Sequence, residues 1–69
     1  MKISARNVLA GTVEEISKGA TTSHVRIRVG GHVVTAAITN EAVEELGLAK
    51  GREAYAVIKA SNVMLGVDH

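Results

Sequence analysis

Val25, Ile27 and Val29 alternate with His24, Arg26 and Arg28. A period of two sends the two sets to opposite faces of a pleated chain, so this stretch predicts a half-buried strand. Gly30-Gly31 follows, and such a pair supplies the two positive-φ residues that a tight hairpin requires, with Val33 to Ile38 returning as the antiparallel partner. The return strand is apolar on nearly both faces. It is expected in the middle of a closed barrel or at a subunit contact.

Upstream, "ISARNVLAGTVEEI" (Ile3 to Ile16) mixes β-branched and polar residues and predicts one long strand, bent or bulged near Gly11. "SKGATTS" (Ser17 to Ser23) is turn chemistry centred on Gly19. Downstream, "TNEAVEELGLAKG" (Thr39 to Gly51) predicts the one helix. Thr39 or Asn40 can cap it, Glu41 suits its positive end, Val43 and Leu46 share a face, and Gly47 ends it; a capping box is absent. "REAYAVIKASNVML" (Arg52 to Leu65) predicts a strand through Ile58, a polar break at Lys59 to Asn62 and a short last strand at Val63 to Leu65, before a frayed "GVDH" tail. Three strands, a helix and two strands, in that order, predict an all-β chain with one short helix, an OB-like five-stranded barrel. A ferredoxin-like fold would need a second helix.

Length sharpens this picture. A chain of 69 residues is one domain, 1–69, and a lone copy of it can bury little apolar area. Disulfides are excluded because there is no cysteine, and His24, His32 and His69 are too scattered for a metal site. Oligomerisation remains as the source of stability. The residues are 46% hydrophobic, but Tyr55 is the sole aromatic; the Val, Ala, Ile and Leu that remain leave apolar area outside for another copy to cover. A homo-oligomer is expected.

A formal net charge of +1 provides no broad field for nucleic acid or an anionic membrane. Met1-Lys2 leads into "ISARN" rather than an apolar run, and no stretch approaches membrane-spanning length, so a soluble, cytoplasmic protein is expected. Catalysis is not expected: there is no cysteine nucleophile, no histidine beside a serine or aspartate in a motif, and no Gly-rich phosphate loop with a lysine. An OB barrel that binds single strands combines a basic groove with aromatic platforms, which this composition lacks. Arg26 and Arg28 therefore read as solvated edge charges.

Two polar clusters lie far apart in the chain, Ser4-Ala5-Arg6 and Lys59-Ala60-Ser61. Each sets a hydroxyl beside a cation where strand pairing is interrupted and backbone N–H groups are free. Singly, such words are ordinary surface polarity; together they make an anion site. A third cluster, Lys18-Gly19-Ala20-Thr21 with Thr22, is either a plain loop or a second group of N–H donors, most effective where symmetry brings copies together. An oligomeric scaffold whose polar clusters are inert is one alternative reading, and a weak single-stranded nucleic-acid binder is another.

"ISARN", the Leu9-x-Gly11-x-Val13 spacing, the Lys18-Gly19 turn, the Gly-Gly hairpin, "VEELGL" and "VIKAS" followed by Val63-Met64-Leu65 closely resemble the molbindins, the single-domain molybdenum-pterin-binding (Mop) proteins. The likeness spans Met1 to Leu65. It implies an OB-like fold assembled as a hexamer, a trimer of dimers, that binds molybdate or tungstate at subunit interfaces for storage, buffering or homeostasis of molybdenum, with no organic cofactor. Carried over by position, a dimer-interface oxyanion site falls on Ser4, Ala5 and Arg6 with Lys59, Ala60 and Ser61; a second, near the trimer axis, falls on Lys18, Gly19, Ala20 and Thr21. No residue is implied as a direct metal ligand. One position departs: many relatives have a serine that can reach the dimer-interface site where this chain has Ala42, so the resemblance implies one hydroxyl donor fewer there. The chemistry is consistent: a tetrahedral dianion unprotonated at neutral pH only accepts hydrogen bonds, so its site should be lined with donors and free of carboxylates.

Overall fold

The computed structural model describes residues 1–68 and folds them into a single four-stranded antiparallel sheet. In chain order come β1 (Asn7–Lys18), β2 (Thr22–Val29), β3 (His32–Thr39), the helix α1 (Asn40–Glu45), β4 (Glu53–Ile58) and a 3-10 turn at Ala60–Asn62. Spatially the order is β3-β2-β1-β4. The long β1 pairs with β4 along Asn7 to Thr12 and with β2 along Thr12 to Lys18, so one strand spans the two halves of the molecule.

Alternation in β2 does what its period dictates. Val25 and Ile27 are buried and pack with Val13 of β1, while His24 and Arg28 face out. β3 follows in register, with Val34 opposite Ile27 and Ala36 opposite Val25. It is an edge strand, however, and not an interior one; its outer face carries exposed Val33. The sheet curls so that β3 and β4 line opposite sides of one apolar groove of about 720 Å³, floored by Val25 and Ile27, without pairing to close it.

Four strands, rather than five, pair within the chain. Val63 to Leu65 has no ladder partner, and Met64 and Leu65 are 91% and 95% exposed. Residues 63–68 carry no regular secondary structure, and the expectation for the tail extends to His69, which lies outside the described residues. β1 likewise begins at Asn7, not Ile3, because its ladder with β4 ends at the pair Asn7 and Ile58.

The bulge in β1 falls between Val13 and Glu15, two residues past Gly11. Val13 turns its backbone to the other side, donating to the Arg52 carbonyl at 2.9 Å and accepting from the Gly51 N–H at 2.8 Å. Gly11 instead marks a close approach: a Cβ there would lie 2.5 Å from Ile27 Cγ2 and 2.6 Å from the Arg28 carbonyl oxygen. In the hairpin, Gly30 has φ +60° and Gly31 is not positive, the II′ pattern, which requires positive φ only at the first central residue.

α1 is one and a half turns long and stops well short of Gly51. Thr39 caps it, its Oγ1 accepting from the Ala42 N–H at 3.0 Å. Gly47, at φ +62°, ends it: its N–H donates to the Glu44 carbonyl and that of Leu48 to the Val43 carbonyl, each at 3.0 Å, which satisfies carbonyls the helix leaves open. The closing reverses the chain after Leu46, so Leu48 joins Val43 on the core and Leu46 is left 66% exposed.

Candidate anion-binding site

The β1–β4 ladder ends at Asn7 and Ile58, and the Asn7 amide Nδ2 also donates to the Ile58 carbonyl at 3.1 Å. Ser4-Ala5-Arg6 enters β1 on one side of this pair and Lys59-Ala60-Ser61 leaves β4 on the other. Two words more than fifty residues apart thus become neighbours at one corner of the sheet. Lys59 is extended (φ −63°, ψ 134°), and the chain then winds into the 3-10 turn, where the Asn62 N–H closes on the Lys59 carbonyl at 2.9 Å. Ser4, Arg6, Lys59 and Ser61 are exposed and Ala5 is half-buried.

The two segments bring cations and hydroxyls to the corner without a carboxylate of their own. No Asp or Glu occurs in residues 1–13 or 54–67. Among the described residues the ion pairs are Arg26 with Glu15 and Arg28 with Glu14, both on the outer face of the β1–β2 ladder, so the sheet's own arginines are neutralised there while Arg6 and Lys59 are not. Two like charges brought together without a carboxylate are relieved by a bound anion.

The third cluster lies elsewhere. Lys18 to Thr21 forms the β1–β2 turn at the far end of β1, about 35 Å of strand path from Asn7 at the usual ~3.3 Å per residue. One chain therefore has two separate candidate corners. The turn is tighter than expected, because β1 runs to Lys18 and β2 starts at Thr22, and the Gly19 N–H donates to the Thr22 carbonyl at 2.8 Å. Ala42 sits beside this second corner, on the helix whose first residue hydrogen-bonds to Thr21.

Asn40 is the residue that sequence reading passed over, weighing it only as a helix cap. With Thr39 as the cap, its side chain is free for the turn: Nδ2 donates to the Gly19 carbonyl at 3.1 Å and the Ala20 carbonyl at 3.3 Å. Its backbone N–H donates to the Thr21 carbonyl at 2.9 Å. Ser23, only 2% exposed, donates its hydroxyl to Asn40 Oδ1 at 2.5 Å. A polar side chain one residue past a capping threonine was the available signal.

The apolar groove and two further surface concavities, one beside Glu15 and Arg26 and one beside Gly11 and Arg28, are lined by no residue of the three clusters. Among the described residues no group of three or more His, Cys, Asp or Glu side chains could hold a metal ion, and no helix is long and apolar enough to cross a membrane.

A curled four-stranded sheet with donor-rich corners defines a small β-domain of a known kind. Residues 3–65 match the model of the TOBE domain, and the chain belongs to that family. Within it, the chain is a molbindin-type Mop protein, as its full-length relatives indicate. It is 49% identical over 69 residues to the probable molybdenum-pterin-binding protein of Haemophilus influenzae, covering 99% of this chain and all of that one. A molybdate-binding protein from Sporomusa ovata superposes with a TM-score of 0.92 at 37% identity, over 97% of this chain and 100% of the other. The cytoplasmic molybdate-binding protein ModG, in a crystal form with molybdate bound, also gives 0.92 at 51% identity; it covers 97% of this chain, which spans 48% of that longer one.

Proposed function

We propose that this protein binds molybdate, and tungstate as its near-equal in size, in the service of molybdenum storage, buffering or homeostasis in the cytoplasm. The observation that carries the proposal is the end of the β1–β4 ladder, where Ser4-Ala5-Arg6 and Lys59-Ala60-Ser61 meet with no carboxylate in either segment. Donors without acceptors suit a dianion that carries no proton, and a protonated phosphate oxygen would be wasted against them. Binding rather than turnover, without an organic cofactor, is the role proposed. The names of the full-length relatives support the same ligand.

Ser4, Arg6, Lys59 and Ser61 are exposed in the single chain, and we assign the completion of the corner to a second copy. The chain exposes 5572 Å² of surface, against roughly 4,100 Å² expected of a compact monomer of 7.2 kDa. That excess, roughly 1,500 Å² on one chain, is nearly twice the ~800 Å² that each partner gives to a standard contact. Val63 to Leu65 is the natural fifth strand, paired across the interface. Ala42, on the opposite end of β1 from Ser4, would face the Ser4 corner only from a neighbouring copy. A hexamer with the second oxyanion site at Lys18, Gly19, Ala20 and Thr21 is the assembly proposed.

Calorimetric titration with molybdate, tungstate and sulfate tests this reading. Heat with the two larger anions and much weaker binding of sulfate is expected, since rigid strands fix a cavity in which the smaller ion's hydrogen bonds are stretched. Silence with molybdate, or sulfate binding equally well, overturns it.

A further inference from the structure

In a trans peptide the C=O and the N–H that follows it point in opposite directions. Asn40 draws three successive carbonyls of the β1–β2 turn to itself, those of Gly19 and Ala20 by its side chain and that of Thr21 by its backbone N–H. The Ala20 and Thr21 N–H groups, each the other end of a captured peptide unit, are therefore turned to the outer side of the turn. Neither has a hydrogen-bond partner among the described residues, whereas the Gly19 N–H is taken by the Thr22 carbonyl. Ala20 and Thr21 are both exposed residues at the surface of the turn.

We infer that Asn40 is a positioning residue for oxyanion binding at this turn: it removes the acceptors from the surface, leaving a face of amide donors beside the Lys18 ammonium. The inference rests on the proposed reading of Lys18 to Thr21 as an oxyanion site. An anion meeting a turn of ordinary loop geometry would encounter carbonyl oxygens as well as N–H groups, and each exposed carbonyl would repel it. Ser23 secures the device from below. Its buried hydroxyl occupies Asn40 Oδ1, which fixes the side-chain amide with Nδ2 toward the turn. The hydrogen bonds thus form a chain from the sheet interior, through Asn40, to the peptide planes that meet the ligand.

The experiment is a molybdate titration of the full chain followed by amide NMR, with calorimetry for stoichiometry. In the unmodified protein the Ala20 and Thr21 resonances should shift on binding and Gly19 much less, alongside a response at Ser4 to Arg6. Asn40→Ala should weaken the turn response by about tenfold or more, the loss expected when charge-assisted hydrogen bonds are disordered, while the Ser4 to Arg6 response persists. Ser23→Ala, which frees Asn40 Oδ1 and unlocks the amide, should weaken the turn response in the same direction by a smaller factor, while the Ser4 to Arg6 response persists. Should Asn40→Ala not fold, Asn40→Ser serves instead, since a short hydroxyl cannot span both carbonyls. An unaltered turn response in the Asn40 variant, or no turn response in the unmodified protein while Ser4 to Arg6 responds, overturns the role of Asn40 and leaves molybdate binding standing. No response at either corner overturns the proposed function itself.

Discussion

At the scale of single residues, neighbours decide what a side chain can do more than its own type does. Arg26, Arg28, Arg6 and Lys59 are all exposed or half-exposed cations, yet the first two are spent on Glu15 and Glu14 across the β1–β2 ladder. Arg6 and Lys59 stand in carboxylate-free segments and make no ion pair among the described residues. Lys2 is equally charged and lies outside both clusters. Lys59→Ala should therefore weaken molybdate binding by about tenfold or more, the range for one charge-assisted hydrogen bond, and Lys2→Ala should leave it within about twofold. Parallel titrations of the two variants check this, and equal effects would mean that the site has been misplaced.

Among the elements, β1 carries most of the architecture. It bridges β4 and β2, and the switch is made where Gly11 lets the backbone press onto β2 and where the bulge after Val13 turns one residue's hydrogen bonds toward Gly51 and Arg52. Gly11→Ala places a methyl group inside Ile27 Cγ2 and the Arg28 carbonyl. The backbone atom cannot move aside without disturbing the ladder, so a loss of roughly 1–3 kcal/mol is expected, in the range of other overpacking substitutions. A urea melt of the variant measures it. An unchanged midpoint would show that β1 and β2 can separate there freely. α1, by contrast, contributes through its ends: a threonine cap before it and a Gly47 reversal after it bring Val43 and Leu48 to the core and deliver Asn40 to the turn.

The whole molecule is short of interior. Val13, Val25, Ile27 and Ala56 are its buried apolar residues, while Val8, Tyr55 and Val57 are exposed on the outer face of β1 and β4 and the apolar groove stays open between the edge strands. A chain this size with so much apolar surface uncovered gains by pairing with copies of itself. Sedimentation of the full chain is expected to give a multimer at micromolar concentration, and Leu65→Asp, which charges the unpaired end segment, should shift it toward smaller species. A monomer at all concentrations would overturn the assembly. Bound molybdate should also raise the melting temperature by mass action, with about 2.7 kcal/mol of added stability at a ligand concentration 100 times the dissociation constant.

Much of this was legible in the order of residues. The period of two in β2, the Gly30-Gly31 hairpin, the Gly47 stop of α1, and β4 through Ile58 are local decisions, made by sterics and hydrogen bonds within a few positions, and sequence states them directly, while it narrows the helix cap to Thr39 or Asn40. Both donor clusters could be named as well, because their chemistry is in their side chains. Tertiary structure decided what depends on a distant partner: that β1 starts at Asn7 because Ile58 is its last neighbour, that the bulge sits at Val13 where Gly51 and Arg52 receive it, and that Val63 to Leu65 finds no strand inside its own chain. Asn40 belongs to that second group. Its amide is visible one residue past the threonine cap, but its partners are not, since they lie some twenty residues away and only folding sets the turn at residues 19–21 against it.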